Sequence, residues 1–284
     1  MGLRVHHLNC GTMCPACARL INGDDGHGNK KGWLEAARMV CHVLLIETPK
    51  DGLVLVDTGI GTLDVESPKR LGTPFISLTR PKLDHQETAI AQVKALGYSV
   101  NDVRHIIVTH LDLDHASGLP DFPQAEVHVF KKEFDSAMNP DWRSKARYLP
   151  SQWAHSPRWV KHDADGQGGG ESWFGFEGMQ PIAGLGEDIL LIPLIGHTRG
   201  HCGIAVRSEK GWLLHAGDAY FHHGQLEAQP HMPAGIAAFE KLVQTERNTR
   251  LRNLARLREL ALGKPGEVQI FSAHDPVEFD RLAV

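Results

Sequence analysis

The sequence predicts an α/β protein arranged as a layered sandwich of sheets and helices. Short apolar runs rich in Val, Ile and Leu recur along the chain, helical patterns lie between groups of them, and Gly or Pro follows several segments. Strands and helices in this order bury their apolar faces best in packed layers. The length of 284 residues suits one large domain or two small ones. We expect a single domain over 1–284.

The predicted strands are apolar runs of the kind found in buried sheets. Each is short and rich in β-branched residues, which favour extended backbone. Their predicted bounds are Val40–Glu47, Leu53–Asp57, Arg104–Thr109, Glu126–Phe130, Asp188–Ile195, Gly203–Arg207, Trp212–His215 and Val268–Ser272.

Two segments between these strands have apolar residues at helical spacing. Gln86–Leu96 ends before Gly97, a residue that suits the end of a helix. Ala234–Leu262 is the longest such segment, and it stops at Gly263 with Pro265 just beyond. We therefore expect one helix over each segment.

The segment from Asn139 to Gly184 differs from the rest of the chain. It holds four of the six tryptophans, little periodicity and the glycine-rich run Gly166–Gly170. A long segment of this kind inside a compact domain is usually functional or mobile. We expect it to be an excursion over one face of the domain, at about 139–184, with its tryptophans covering an acyl chain of the substrate or simply packing onto the sandwich.

Composition excludes several classes of partner. A net charge of −4 with no basic face argues against nucleic acid, and no apolar run approaches the roughly 18–20 residues that span a bilayer. The first residues do not resemble a signal peptide, and the five cysteines include three within eight residues. We expect a cytoplasmic protein with reduced thiols that acts on a small molecule.

Histidine and aspartate at the ends of predicted strands indicate a metal centre. Four apolar segments end in His or Asp beside a loop that contains glycine, and a rigid sheet holds such side chains in fixed positions. One such histidine could merely cap a strand, but four strand ends favour a site for zinc, iron or manganese. The residues concerned are His110-Leu-Asp112-Leu-Asp114-His115, His197, Asp218 and His274.

These motifs, together with Asp57-Thr-Gly59, resemble the metallo-β-lactamase superfamily in order and spacing from Val40 to Asp275. The resemblance implies the four-layer αβ/βα sandwich of that family. It also implies two divalent metal ions, with zinc as the first candidate, and support of the metal ligands by Asp57. Under this resemblance the ligands of one metal are His110 and His197, those of the other are Asp114, His115 and His274, and the bridging ligand is Asp218.

Asp112 departs from the family pattern, which usually has a second histidine at this position. A carboxylate is a harder, anionic ligand, so direct ligation would shift the preference from zinc toward iron or manganese. Its shorter reach would instead allow it to orient a water molecule or His110 without touching the metal. We expect Asp112 to be a ligand, and the second arrangement stays open.

The motifs predict a hydrolase that uses a metal-bridging hydroxide on a lactone or ester carbonyl. Asp114 is expected to accept and return the proton. The stretch Val40–Gly59 looks similar to the N-acyl-homoserine lactone lactonase branch, which implies a catalytic tyrosine near Tyr220. The alternatives are a glyoxalase-II-like thioesterase, a di-iron oxidoreductase, and a module that binds metal without turnover.

The N-terminal cysteines have the C-x3-C-x2-C spacing of radical-SAM iron–sulfur enzymes, in Cys10, Cys14 and Cys17. Three thiolates could hold three irons of a cluster, but nothing later in the sequence supports that chemistry. We expect reduced thiols in a loop that borders the mouth of the active site.

Overall fold

Two β-sheets packed face to face form the centre of the protein, in a computed structural model that describes residues 2–23, 30–163, 172–182 and 184–283. The first sheet has the strand order β1-β2-β3-β4-β5-β6 and the second the order β11-β10-β9-β8-β7. The strands are β1 Arg4–Asn9, β2 His42–Glu47, β3 Leu53–Val56, β4 Val103–Ile107, β5 Glu126–Phe130, β6 Arg158–His162, β7 Gln180–Ile182, β8 Gly186–Pro193, β9 Cys202–Ser208, β10 Gly211–His215 and β11 Val268–Phe271.

Helices cover the outer faces of both sheets. The longest helix in the described ranges, α8, has 17 residues. No helix in those ranges is long and apolar enough to cross a membrane. The helices are α1 Ala18–Ile21, α2 Thr62–Glu66, α3 Thr73–Thr79, α4 Ala89–Ala95, α5 Leu113–Ala116, α6 Lys131–Met138, α7 Ala234–Val243, α8 Arg247–Gly263 and α9 Pro276–Leu282. Short 3-10 turns, such as His85–Glu87 before α4, join several of them.

Alternation along the strands divides the core into three apolar layers. On β8, Ile189 and Leu191 face the first sheet, whereas Leu190 and Ile192 face α8. On β5, Val127 and Val129 pack beneath α4 and α6. Burial on both faces explains the unbroken apolar run Ile189–Ile192 of β8, whereas β5 alternates its valines with Glu126 and His128. The result is the predicted sandwich of helix, sheet, sheet and helix.

Strand direction brings the functional loops together. Strands β3, β4, β5 and β6 are mutually parallel, and β10 is parallel to β11. The carboxyl ends of parallel strands lie at one edge of a sheet, so the loops that follow them are neighbours. That edge is where the sequence places its His and Asp motifs.

All eight predicted strands are present, with ends that shift by at most two residues. Three strands were not predicted: β1, β6 and β7 carry His, Arg, Gln or Pro and lack a clear apolar pattern. Because β6 and β7 lie within the expected excursion, that segment supplies an edge strand to each sheet. The run Gly166–Gly170 lies outside the described residues.

The single long helix predicted over Ala234–Leu262 is wrong. The chain breaks between α7 and α8, where the backbone N–H groups of Thr245 and Glu246 each donate to the carbonyl of Gly196, at 3.0 and 2.9 Å. Arg250 packs so closely that a β-carbon on Gly196, whose φ is +144°, would lie 2.4 Å from Arg250 Cβ. The break thus fixes the loop that carries His197.

Candidate metal centre

The predicted ligands converge at the edge of the sandwich. His110 follows β4, His197 follows β8, Asp218 follows β10 and His274 follows β11, while the one-turn helix α5 carries Asp114 and His115. The histidines and Asp218 are buried, and the side chains of Asp112 and Asp114 remain 15% and 14% exposed. The two more exposed carboxylates therefore lie toward solvent and any substrate.

Asp218 lies between two groups of imidazoles. Its Oδ2 is 3.4 Å from His197 Nε2 and 3.8 Å from His110 Nε2. Its Oδ1 is 3.2 Å from His274 Nε2 and 3.4 Å from His115 Nε2. One carboxylate thus presents one oxygen to each of two separate clusters.

The first half of the centre consists of His110, Asp112 and His197. Asp112 Oδ2 is 3.0 Å from His197 Nε2 and 3.3 Å from His110 Nε2. The ligand atoms of these three residues lie within 4.8 Å of one another, close enough to hold one ion. The structure therefore brings Asp112 to the place where the family pattern has histidine.

The second half consists of Asp114, His115 and His274. Asp114 Oδ2 is 3.5 Å from His274 Nε2 and Asp114 Oδ1 is 3.9 Å from His115 Nε2. The Nε2 atoms of His115 and His274 are 3.2 Å apart. The thiol of Cys41, which sequence reasoning did not single out, also lies within 4.8 Å of the ligand atoms of Asp114 and His274.

The inward-facing atoms fit a bound cation. Within the described ranges, His110 Nε2 and Asp218 Oδ1 are buried and have no hydrogen-bond partner. A buried polar atom without a partner costs about 1–3 kcal/mol. Coordination of a divalent metal would satisfy these atoms, and neutral imidazoles with carboxylates are suitable ligands.

The opposite ring nitrogens are held from behind. His115 Nδ1 is 2.8 Å from Asp57 Oδ2, and His274 Nδ1 is 2.7 Å from the carbonyl of Val40. Asp57 also accepts from the backbone N–H of Thr109 at 2.7 Å. Partners of this kind fix the tautomer and aim Nε2 at a metal. Asp57 therefore lies behind the ligands, as the family resemblance implied.

Buried polar side chains also join the ligand loops to one another. Glu133 on α6 accepts from the backbone N–H groups of Leu111 at 3.0 Å and Gly200 at 3.1 Å. His201 Nε2 accepts from the backbone N–H of Asp218 at 2.8 Å. These bonds fix the spacing between the loops after β4, β8 and β10.

Arg147 also contacts the candidate centre, and the sequence analysis did not single it out. Its Nε is 3.1 Å from Asp112 Oδ1, its Nη1 donates to the carbonyl of His197 at 3.0 Å, and its Nη2 donates to the carbonyl of Val243 at 2.6 Å. It lies in the tryptophan-rich excursion, where no spacing or motif distinguishes it. Arg147 holds the outer oxygen of Asp112 and leaves Oδ2 for the centre.

The two halves differ in electrostatics. Burial lowers the pKa of His197 to about 4, and the neighbouring guanidinium of Arg147 contributes in the same direction. Burial would also lower the pKa of His115, but the carboxylates of Asp218, Asp57 and Asp114 outweigh it and raise that pKa well above its ordinary value. The second half thus requires positive charge, as a proton or as a metal ion.

Tyr220 is not brought to the cluster. It is fully buried beneath α8, and its hydroxyl donates to Glu278 Oε1 at 2.8 Å. Burial and the charge of Glu278 raise the pKa of this tyrosine well above its ordinary value. The hydroxyl is therefore occupied away from the metal ligands.

The tryptophans pack into separate parts of the molecule. Trp153 and Trp159 lie against the apolar layer under α4 and α6, Trp173 is buried under α8, and Trp142 is 78% exposed. They do not form one apolar surface over the metal centre, so the structure favours the packing role. The excursion reaches the centre through Arg147 instead.

The N-terminal cysteines do not form a ligand cluster. Cys10 is buried, whereas Cys14 and Cys17 are partly exposed, and all three are free thiols. No group of metal-binding side chains in the described part of the chain contains them together. The structure gives no support to an iron–sulfur site.

Comparison with known proteins identifies the family. The sequence pattern of the metallo-β-lactamase superfamily matches residues 36–179, about half of the chain. A probable metallo-hydrolase of Mycobacterium tuberculosis is 42% identical over 275 residues, covering 96% of this chain and 81% of the relative. An N-acyl homoserine lactonase of Azorhizobium caulinodans is 29% identical, covering 82% of this chain and 80% of the relative.

A solved structure shows the same fold. A point mutant of AiiA from Bacillus thuringiensis, with N-decanoyl-L-homoserine bound at its active site, superposes with a TM-score of 0.70 at 20% identity, covering 99% of this chain and 97% of the other. The predicted fold and the predicted metal-dependent hydrolase class are both confirmed. The chain belongs to the metallo-β-lactamase superfamily.

Proposed function

We propose that this protein is a binuclear hydrolase, with Asp218 shared between two divalent metal ions, that opens neutral lactones or esters. The observation that carries the proposal is the position of the Asp218 carboxylate between the two halves. Its Oδ2 faces the first half and its Oδ1 faces the second. A site for a single tetrahedral ion needs only four ligands, whereas seven candidate side chains converge here. We assign His110, Asp112 and His197 to one ion and Asp114, His115 and His274 to the other.

When bound, such a metal pair supplies hydroxide at neutral pH and polarises the substrate carbonyl. The protein side chains then hold the ligands and move the proton. Asp114 suits the proton transfer, because its carboxylate is 14% exposed and lies 3.5 Å from His274 Nε2. It can accept the proton from the attacking water and return it to the leaving oxygen. Tyr220 has no role in this scheme, because Glu278 occupies its hydroxyl.

Charge around the centre supports a neutral substrate. The carboxylates of Asp112, Asp114 and Asp218 meet at this centre. Among the described residues, the arginine that contacts them is Arg147, through Asp112. Its guanidinium nitrogens already contact Asp112 and two backbone carbonyls. Beyond metal ions, a phosphodiester is commonly held by arginine or lysine side chains, and in the described ranges the arginine against these ligands is already committed. The lactonase relatives support the same choice.

Zinc is the first candidate metal, with iron or manganese favoured by the carboxylate of Asp112. The test is a panel of a lactone, an aryl ester, a thioester and a phosphodiester, each measured after reconstitution of chelated protein with Zn²⁺, Fe²⁺ or Mn²⁺. We expect lactone or ester turnover with at least one metal and none after chelation. Asp114→Asn, reconstituted in parallel, controls for hydrolysis by contaminants.

Other outcomes would replace the substrate assignment. Thioester cleavage without lactone or ester turnover would indicate a glyoxalase-II-like thioesterase. Oxygen uptake with iron alone would indicate a di-iron oxidoreductase. Bound metal without turnover of any substrate would indicate a binding module.

A further inference from the structure

A second group of potential metal ligands lies within the parallel strands β4 and β5, before their carboxyl ends. We name it the strand-start cluster: His105 on β4, with Glu126 and His128 on β5. His105 precedes His110 by five residues, or about 16 Å along an extended chain, and His128 is paired with Ile107, three residues or about 10 Å before His110. The cluster is therefore separate from the proposed catalytic centre.

Parallel register places these side chains together. His105 is paired with Glu126 and Ile107 with His128, so alternation puts all three side chains on one face of the sheet. His105 Nδ1 is 3.0 Å from His128 Nε2 and 3.8 Å from Glu126 Oε2. In a tetrahedral zinc site the ligand atoms are about 3.3 Å apart, given bonds of about 2.0–2.2 Å. The two separations lie on either side of that value, and all three ligand atoms fall within 4.8 Å of one another.

Side chains on β6 hold two of these ligands in place. His128 Nδ1 is 3.0 Å from His162 Nε2 on β6, so donation to His162 leaves His128 Nε2 with its lone pair facing His105. Arg158 Nη2 donates to Glu126 Oε1 at 2.8 Å and leaves Oε2 for the cluster. His128 and Glu126 are thus each held by a partner on the adjacent strand β6.

Protonation and access also suit a cation. Burial lowers the pKa of His128 to about 3, with the nearby imidazoles of His162 and His105 adding to the effect, and burial likewise lowers the pKa of His105. Both rings are therefore neutral at pH 7, which is the metal-binding form. The side chains of His105 and Glu126 are 15% and 36% exposed, so an ion can enter from solvent.

We propose that His105 Nδ1, His128 Nε2 and Glu126 Oε2 bind one Zn²⁺ ion outside the catalytic centre, with water as the fourth ligand. The ion replaces the proton that the two imidazoles otherwise share. It links β4 to β5 and, through His162, tightens the edge strand β6. Its effect is on stability, because it shares no residue with the groups that form the proposed catalytic centre.

The chain supplies a matched control. His7 Nδ1 and His42 Nε2 form a similar cross-strand pair at 2.8 Å, but no metal-binding group in the described residues includes them. The test measures Zn²⁺ per chain by equilibrium dialysis against buffered micromolar Zn²⁺ and elemental analysis. We expect His105→Gln and Glu126→Gln each to bind one Zn²⁺ fewer than wild type, and His7→Gln to bind the same number.

Thermal unfolding completes the test. Added Zn²⁺ should raise the Tm of wild type more than that of either cluster variant, while lactone or ester turnover stays unchanged in both. Glu126→Gln is conservative and partly exposed, so it keeps the test valid if His105→Gln folds poorly. Equal zinc content in wild type and both variants would overturn the proposal. Because the result is a difference between variants, it stands apart from the number of ions in the catalytic centre.

Discussion

The two halves of the candidate metal centre share Asp218 but balance their charge in different ways. In the first half, the guanidinium of Arg147 lies 3.1 Å from Asp112 and compensates the carboxylate that replaces a histidine. Burial and this guanidinium keep the pKa of His197 low, at about 4. The first half is therefore close to electrical balance without any ion.

The second half has no such internal cation among the described residues. Against the effect of burial, the carboxylates of Asp218 and Asp114 raise the pKa of His274, as they do with Asp57 for His115. Positive charge must come from protons or from a metal ion. We infer that the second half gains more from a divalent ion, and that the first half depends on how Arg147 orients Asp112.

The largest expected effect is that of Asp114→Asn. The variant keeps the shape of the side chain but removes one negative ligand and the proton acceptor of the second half. We expect turnover to fall by about 10²–10⁴-fold, the usual contribution of general acid–base catalysis. Steady-state rates and thermal unfolding, measured together, check this. Near-full activity in a folded variant would exclude the proposed role of Asp114.

Arg147→Met tests the first half. Metal affinity or activity typically falls 10–100-fold when a residue that orients a ligand is lost, and a broken buried ion pair costs about 3–5 kcal/mol of stability. We expect loss of metal from the first half, seen as a fall toward one catalytic ion per chain. Arg147→Lys is the control: it keeps the charge but not the three-way contact. If Lys restores metal binding fully, charge alone accounts for Arg147.

Asp112→His tests whether the carboxylate of the first half is itself a metal ligand. If Asp112 is a ligand, the substitution restores three histidines and raises the affinity for zinc relative to iron or manganese. Competition between these metals, compared in wild type and variant, measures the change. Identical selectivity would mean that Asp112 orients its neighbours without touching the metal.

The smallest expected effect on specificity is that of the tryptophans. Trp173→Ala should cost about 3–5 kcal/mol of stability, because it empties a buried site under α8, and Trp153→Ala should cost less. We expect each variant to leave the rate ratio of long-chain to short-chain lactones unchanged. A loss confined to the long-chain lactone would instead place that tryptophan in the substrate pocket.

The sequence predicted the centre well because its ligands follow apolar strands. His110, Asp218 and His274 stand at strand ends that periodicity reveals, and parallel pairing brings such ends together. Arg147 could not be predicted, because its partners lie 35 and more residues away in sequence and no local pattern marks it. For Tyr220 the prediction rested only on proximity in sequence to Asp218, and that proximity does not determine where the hydroxyl points.

The missed elements have physical reasons as well. Strand β6 reads Arg-Trp-Val-Lys-His, and its polar side chains conceal a strand whose inner face carries His162. The break before α8 depends on hydrogen bonds to the carbonyl of Gly196, about fifty residues earlier. Neither feature is visible in the residues of the element itself, because tertiary contacts determine both.

The most direct test of the binuclear centre is the metal content of the His105→Gln protein, purified without chelators. This variant removes the proposed strand-start site, so the ions counted belong to the catalytic centre. Elemental analysis against protein concentration should give two metal ions per chain. A stable value of one or below, in a folded protein with added metal, would contradict the account in which Asp218 is shared between two ions.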